Sequence, residues 1–264
     1  MADAFFIPAG GGRFEPTGNL PGPWHPGMMH GGPPSALMAH QMIEFAEAGN
    51  EVGPTPADPL LSRLVVEFVR PVPVEPVEVV CRLLRPGKKV ALVEAAMTAG
   101  GEEVLRANGW LSRTAEVAVP DTGQAEAPAK APLETIDPAG WSNGYLQAVE
   151  WGWVEGRFEE PGPATVWARP KCPLVEGEGT RPEELVALIV DSGSGISAVA
   201  NPKDLIFVNV DLAIHLLRAP RGEAIWMHSD TLLAPGGTGI TTTRIGDADG
   251  QVGTATQSLF VAPA

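Results

Sequence analysis

The chain has 264 residues, enough to bury a substantial core in one large domain or two small ones, and its 44% hydrophobic content with scattered charge describes a globular protein. A formal net charge of −14 repels polyanions, which argues against broad nucleic-acid or anionic-membrane binding and favours a small-molecule substrate. The only cysteines, Cys81 and Cys172, stand far apart and outside any CxxC or Cys/His ligand spacing, so neither a disulfide framework nor a structural zinc site is expected and both read as core thiols.

Residues 1–8 have no basic n-region and no long apolar h-region, and no later stretch reaches transmembrane length, which predicts a cytoplasmic protein. The 27 prolines and 31 glycines cut the chain into short segments at the spacing of a β-rich fold. Residues 35–48 carry Leu37, Met38, Met42, Ile43 and Phe45 at helical spacing, with Gly49-Asn50 as a stop. Strand-like runs follow at residues 63–70, 77–84, 90–98 and 103–111. They are separated by Pro71, Pro86-Gly87 and Gly100-Gly101, and predict an antiparallel meander.

Residues 118–138, rich in Ala, Pro and Glu, read as an exposed linker. Residues 165–169 then predict a strand, and Pro182 opens a helix that the pattern carries to residue 199. Strands are expected at residues 207–215, 224–230, 239–245 and 253–261. The chain therefore reads twice in one order: strand, long helix, meander.

Within the second helix lies Asp191, in a run that is otherwise apolar or small: Leu185-Val186-Ala187-Leu188-Ile189-Val190-Asp191-Ser192-Gly193. An ionised carboxylate in such surroundings loses solvation and shifts its pKa upward unless donors hold it. It is either at work or tightly satisfied.

A central helix wrapped by an antiparallel sheet, given twice, resembles the double hotdog, an α+β fold. The resemblance is carried by Trp24-His25-Pro26 with His30-Gly31-Gly32, by Phe68-Val69-Arg70-Pro71-Val72-Pro73 and by Asp191-Ser192-Gly193-Ser194-Gly195-Ile196-Ser197. Asn209-Val210-Asp211-Leu212, His215-Leu216-Leu217-Arg218 and Thr256-Gln257 complete it. In order and spacing these segments are similar to the type II, double-hotdog acyl-CoA thioesterases over nearly the whole chain. The implied division is an N-terminal hotdog at residues 1–118, a linker at 119–140 and a C-terminal hotdog at 141–264.

The resemblance implies hydrolysis of an acyl-CoA thioester, or of an acyl carrier protein thioester, within fatty acid metabolism. No metal or redox cofactor is implied. Asp191 takes the place of the family's acid, acting on water as general base or attacking directly as nucleophile, and Gln257 takes that of its glutamine. Asn209 falls where a threonine is common, keeping hydrogen-bonding capacity without the hydroxyl; the alternative is a strand-end amide bonded to neighbouring backbone. Gly31 and Gly32, at the mouth of the first helix, offer free N–H groups to an oxyanion, or else simply make a tight helix entry. His30 positions that turn or contacts the thioester, although a lone histidine is more often structural.

Single-hotdog thioesterases carry HGG with the acid nine residues on, where this chain has Ala39 beside His40. The second half has the acid but Gly179-Thr180-Arg181-Pro182 in place of HGG. One composite site per chain is thus expected, with Asp191 facing Gly31-Gly32 across the two halves and the mirror site dead. For the phosphates of coenzyme A, Arg85, Lys88 and Lys89 at the Pro86-Gly87 turn are the favoured cations, with Arg218 and Arg221 as an alternative. Trp24, Trp151, Trp153 and Trp167 line an acyl tunnel or are plain core, and His215 and His228 read as core or surface. Free sheet edges allow a homodimer or tetramer. Two other readings remain: a hotdog hydratase or dehydratase using His30 with Asp191, and a non-catalytic acyl-CoA binding protein.

Overall fold

The run at residues 185–190 has no polar face, so any helix it forms must be enclosed on all sides. A computed structural model of the protein describes residues 2–48, 55–136, 144–201 and 204–264. The helix stop expected at Gly49-Asn50 and the boundary expected at residues 140 and 141 lie outside the described residues.

The first half runs β1 (Phe6–Gly10), β2 (Arg13–Pro16), α1 (Gly32–Glu47), β3 (Pro59–Phe68), β4 (Val77–Arg85), β5 (Val90–Ala99) and β6 (Glu102–Arg113). The second runs β7 (Glu134–Thr135), α2 (Gly144–Ala148), β8 (Val149–Arg157), β9 (Glu160–Pro170), α3 (Pro182–Val190), α4 (Gly193–Ile196), β10 (Leu205–Asn209), β11 (Asp211–Leu216), β12 (Ile225–Ala234), β13 (Thr238–Asp247) and β14 (Gly250–Pro263). All strands join one antiparallel sheet in the order β1-β2-β4-β5-β6-β3-β11-β14-β13-β12-β9-β8-β7, with β10 beside the end of β14.

Two helices wrapped by antiparallel strands in one chain make this the α+β double hotdog. The simple meander expected in each half is corrected. β4, β5 and β6 form one, but β3 crosses back to pair with β6, and β11 likewise pairs with β14. In the first half the chain leaves β3 through Pro71, Pro73 and Pro76, which break strand continuity and carry it away from its neighbour. The two displaced strands then pair with each other, from Asp211 opposite Glu67 to His215 opposite Arg63, and fuse the halves into one sheet.

The packing follows alternation. β5 buries Ala91, Val93, Ala95, Met97 and Ala99 and leaves the residues between them partly exposed, one face against α1. In α3, every residue from Glu183 to Val190 is buried between α1 and strands β9, β12 and β13. Truncating such a core residue, as in Ile189→Ala, costs about 2–5 kcal/mol.

Two local expectations are corrected as well. The helix predicted to residue 199 ends at Val190, and only a single turn, α4, resumes after it. Ser192-Gly193-Ser194-Gly195 is a weak helix-forming stretch, which places Asp191 at the end of α3 rather than inside it. The strand predicted at residues 207–215 is split at Val210 into β10 and β11. The stretch expected as an exposed linker is exposed over most of its described length and runs along the C-terminal half: Gln251 N–H donates to the Ala125 carbonyl, Trp167 Nε1–H to that of Ala129, and β7 adds a short edge strand to β8. No helix among the described residues is long and apolar enough to cross a membrane.

Candidate active site

Helices α1 and α3 pack against each other so that the start of α1 meets the end of α3. Gly31 is the N-cap of α1 and Asp191 the C-cap of α3. A Cβ on Gly31 would lie 2.7 Å from Asp191 Oδ2 and 2.8 Å from the Phe68 ring, and one on Gly32 would overlap the Leu188 carbonyl oxygen. Neither glycine has positive φ. They are required by close approach, since any side chain here would drive the two helix ends apart.

The Asp191 carboxylate is 6% exposed and approached from several sides. Asn209 Nδ2 donates to Oδ1 at 2.9 Å, and Gln257 Nε2 lies 3.4 Å from the same oxygen. His30 Nδ1 lies 3.2 Å from Oδ2, and the N–H groups of Gly31 and Gly32 also act on the carboxylate. Burial pushes the carboxyl up from 3.8 to about 6, against the downward pull of the Asn209 amide and the Gly32 and Gly31 N–H groups. The acid is well satisfied and still raised.

Gln257 is set by backbone more than by the carboxylate. Its Oε1 accepts the Ser194 N–H at 3.0 Å and its Nε2 donates to the Asp191 main-chain carbonyl at 3.0 Å, so the amide orientation is defined and the turn after α3 is tied to β14. Besides Asp191, Asn209 donates to the Asp211 carbonyl at 3.3 Å, the neighbouring-backbone bond that the sequence left open. The break at Val210 leaves it at the end of β10, facing the end of α3.

His30 is enclosed, and burial holds its imidazole down from 6.5 to about 3, so it is neutral at physiological pH. Its Nδ1 accepts the Gly32 N–H at 3.1 Å. With Nδ1 accepting from Gly32, an ionised Oδ2 at 3.2 Å would put two acceptors in contact; a proton on the Asp191 carboxyl relieves that conflict, which works in the same direction as burial.

Of these groups, Gly32 and Gln257 are set back and the others lie on the wall of a cavity of about 820 Å3. His30, Gly31, Asp191 and Asn209 line one part, and Met28, Phe68, Leu146, Phe158 and Phe207 give the rest an apolar surface. Trp24 lines the mouth, its ring edge-on to Phe207 with centroids 6.2 Å apart. Trp151, Trp153 and Trp167 lie off the cavity; Trp151 is core, with Nε1–H donating to the Leu146 carbonyl. His215 is exposed on β11, and His228 pairs with Thr165.

Among the described lining residues Arg70 is the only Lys or Arg. Arg85, Lys88 and Lys89 are not on the cavity; Arg85 folds back on the Val90 carbonyl and the Trp110 ring. Arg218 grips the buried Asp247 with both Nη atoms, and Arg221 pairs with Asp249. Sequence reasoning missed Arg70 as a site residue, although it stands in the Phe68-to-Pro73 segment; an arginine just past a strand end in an acidic chain was the available signal.

At the opposite crossing, the start of α3 meets the end of α1 in a different way. Arg181, the N-cap of α3, pairs with Glu44 at 2.6 Å, Glu47 at 3.0 Å and the buried Glu184 at 3.2 Å, and Glu184 also holds His40 at 2.9 Å. A guanidinium and its carboxylates fill the space that the glycine turn and acid leave open on the other side.

Residues 120–261 match the family model described as the acyl-CoA thioesterase C-terminal domain, and residues 20–112 match that of the N-terminal domain. No curated protein sequence matches the chain. Solved structures of similar shape include a candidate thioesterase II from Thermobifida fusca YX, at TM-score 0.73 and 19% identity over 98% of this chain and 96% of that one. A hot dog fold protein from Alicyclobacillus acidocaldarius aligns at TM-score 0.72 and 17% identity over 99% and 98% of the two chains. An acyl-CoA thioesterase II from Mycobacterium marinum aligns at 0.67 and 14%, over 98% and 95%. At these identities the likeness is one of fold.

Proposed function

The chain belongs to the acyl-CoA thioesterase family, and from that premise we propose that it hydrolyses an acyl-CoA thioester to the free acid and coenzyme A at Asp191. The observation that carries the reading is the composite site: a buried acid raised to about 6, against two glycines at a helix start, on the wall of an apolar cavity. It lies between the hotdog units we assign to residues 1–118 and 141–264, joined by residues 119–140.

The acyl chain occupies the apolar part of the cavity and brings its carbonyl to the glycine turn. Asp191 takes a proton from water as the water oxygen bonds to the carbonyl carbon. Negative charge develops on the carbonyl oxygen, where the Gly31 and Gly32 N–H groups and the positive end of α1 stabilise it. The C–S bond then breaks, and the proton passes from Asp191 to the departing thiolate. Asn209 and Gln257 hold the carboxylate and its backbone during the cycle. In the free protein the glycine N–H groups pull the Asp191 carboxyl down, that of Gly32 while also donating to His30 Nδ1, so a substrate carbonyl that recruits them removes that pull and makes the carboxylate a stronger base.

Coenzyme A needs a cation near the cavity, and in this reading Arg70 supplies it, giving up the Glu102 carboxylate it pairs with at 3.2 Å while its other Nη stays on the Glu103 carbonyl. The 3.2 Å approach of His30 to Asp191 gives the hydratase reading its one supporting observation. Against it, His30 is buried, neutral and tied through Nδ1 to Gly32, poorly suited to exchange protons with a substrate.

The test is free-thiol release from a panel of acyl-CoAs by wild-type and Asp191→Asn protein. Release that is lost in the variant supports hydrolysis. A hydrated or dehydrated acyl-CoA without thiol release establishes the hydratase, and tight binding with neither change establishes a binding protein.

A further inference from the structure

Tyr145, the chain's only tyrosine, touches His30 and the chain on either side of Asp191. It lies in the first turn of α2, fully buried, and its ring stacks on the His30 imidazole with centroids 3.7 Å apart and planes 9° from parallel. Its hydroxyl donates to the Leu188 carbonyl at 2.9 Å and accepts from Ser192 Oγ at 2.9 Å, since a carbonyl can only accept. These two partners bracket Asp191 in sequence, three residues before and one after. Leu188 is also the residue whose carbonyl Gly32 packs against.

The tyrosine is itself anchored. Its N–H donates to the Pro21 carbonyl at 3.1 Å, and the Trp151 ring meets it edge-on at 6.3 Å. Burial pushes its phenol far above the ordinary range, so the hydroxyl remains a donor at every working pH.

We propose that Tyr145 is the positioning residue of the site: its ring holds His30 beside Asp191, and its hydroxyl holds the end of α3 at the distance from Gly31-Gly32 that the reaction needs. The proposal rests on the reading of Asp191 given above. Its two halves separate chemically. Tyr145→Phe keeps the stack and loses the tie to Leu188 and Ser192; Tyr145→Leu loses both and opens the His30 face to water.

The experiment measures kcat, KM and the pH dependence of kcat/KM for thiol release by wild type, Tyr145→Phe, Tyr145→Leu and Asp191→Asn, each shown to be folded by circular dichroism and melting. For Tyr145→Phe, kcat is expected to fall about tenfold, with KM within about twofold and the acid limb in place, as a lost hydrogen bond misplaces α3. For Tyr145→Leu, kcat is expected to fall about a hundredfold, and the acid limb to move down toward the ordinary carboxylate range as water relieves the burial of Asp191. A merely structural role lowers the folded fraction without moving that limb.

Tyr145 variants that match wild type in kcat and limb, while Asp191→Asn is inactive, overturn this inference alone. If Asp191→Asn turns over normally, the thioesterase reading at this site falls and this inference with it. If Tyr145→Leu does not fold, the split between kcat and KM in Tyr145→Phe decides.

Discussion

Replacing Asp191 by Asn should make the protein more stable as pH rises, relative to wild type, while removing its activity. The reasoning starts from the carboxyl held at about 6 in the folded chain against 3.8 as its ordinary value. A group whose folded pKa is raised binds its proton more tightly in the native state, so its ionisation destabilises the fold. The penalty is absent below the unfolded value, grows as pH rises between the two values and is complete above about 6. A separation of roughly two units at about 1.4 kcal/mol each gives about 3 kcal/mol in full, of which about 2 falls between pH 4.5 and 7.5. Asn cannot ionise and escapes it. Exchanging an oxygen for an amide opposite the glycine N–H groups also has a cost, but that cost does not vary with pH and cancels when the difference is followed across the range. The assay is urea unfolding of both proteins at pH 4.5, 6.0 and 7.5, with the stability difference expected to shift toward the variant by about 2 kcal/mol. In melting temperature this is a relative gain of about 4–8 °C at the higher pH. A difference that stays flat across pH would show that Asp191 is not held protonated by burial, and the account of it as a raised base would fail.

The acid limb of kcat/KM should report one proton with a midpoint near 6, the value carried by Asp191, with activity rising as the pH passes it. Because the glycine N–H groups transfer to the substrate, the limb of kcat should lie above that of kcat/KM; coincident limbs would show that they stay on the carboxylate. Asn209→Ala removes a donor that lowers Asp191, so its limb should move upward with a loss of kcat, and a downward move would contradict the assigned hydrogen bond. Gly31→Ala drives a methyl into Asp191 and Phe68 and should cost on the order of a hundredfold in kcat, read against a circular dichroism spectrum that stays native. Arg70→Ala should raise KM for acyl-CoA about tenfold, roughly the value of one charge-assisted contact; the same rise in Arg85→Ala instead would return the phosphates to the β4–β5 turn.

The repeat was legible from residue pattern because it depends on local chemistry. Turn residues at Pro86-Gly87 and Gly100-Gly101 mark β4, β5 and β6 within a residue or two, and the all-apolar run before Asp191 announces a buried helix. Pairing was not legible. Nothing in residues 59–68 distinguishes β4 from β6 as their neighbour, since alternation specifies a face and not a partner. The helix end at Val190 was overrun because apolar periodicity continues through Ile196 while the weak Ser-Gly stretch decides the break.

The candidate site divides the same way. Asp191 stands out because a carboxylate among Leu, Val and Ile is costly wherever the chain folds, and the two glycines stand out as a helix mouth without side chains. The state of Asp191 is a tertiary matter: its raised pKa is the balance of burial against Asn209 and two N–H groups that come from other parts of the chain. Tyr145 carries no local signature and Arg70 only its place just past a strand end, since a stacked ring and an arginine on a cavity wall exist only once distant segments meet. Sequence alone determined which chemical groups this protein has to spend and the two-fold order in which they come. Tertiary structure decided which of two equivalent helix crossings keeps an open glycine turn beside an acid, and which is filled by Arg181 and its carboxylates, because close approach and desolvation are properties of packed surfaces rather than of neighbouring residues.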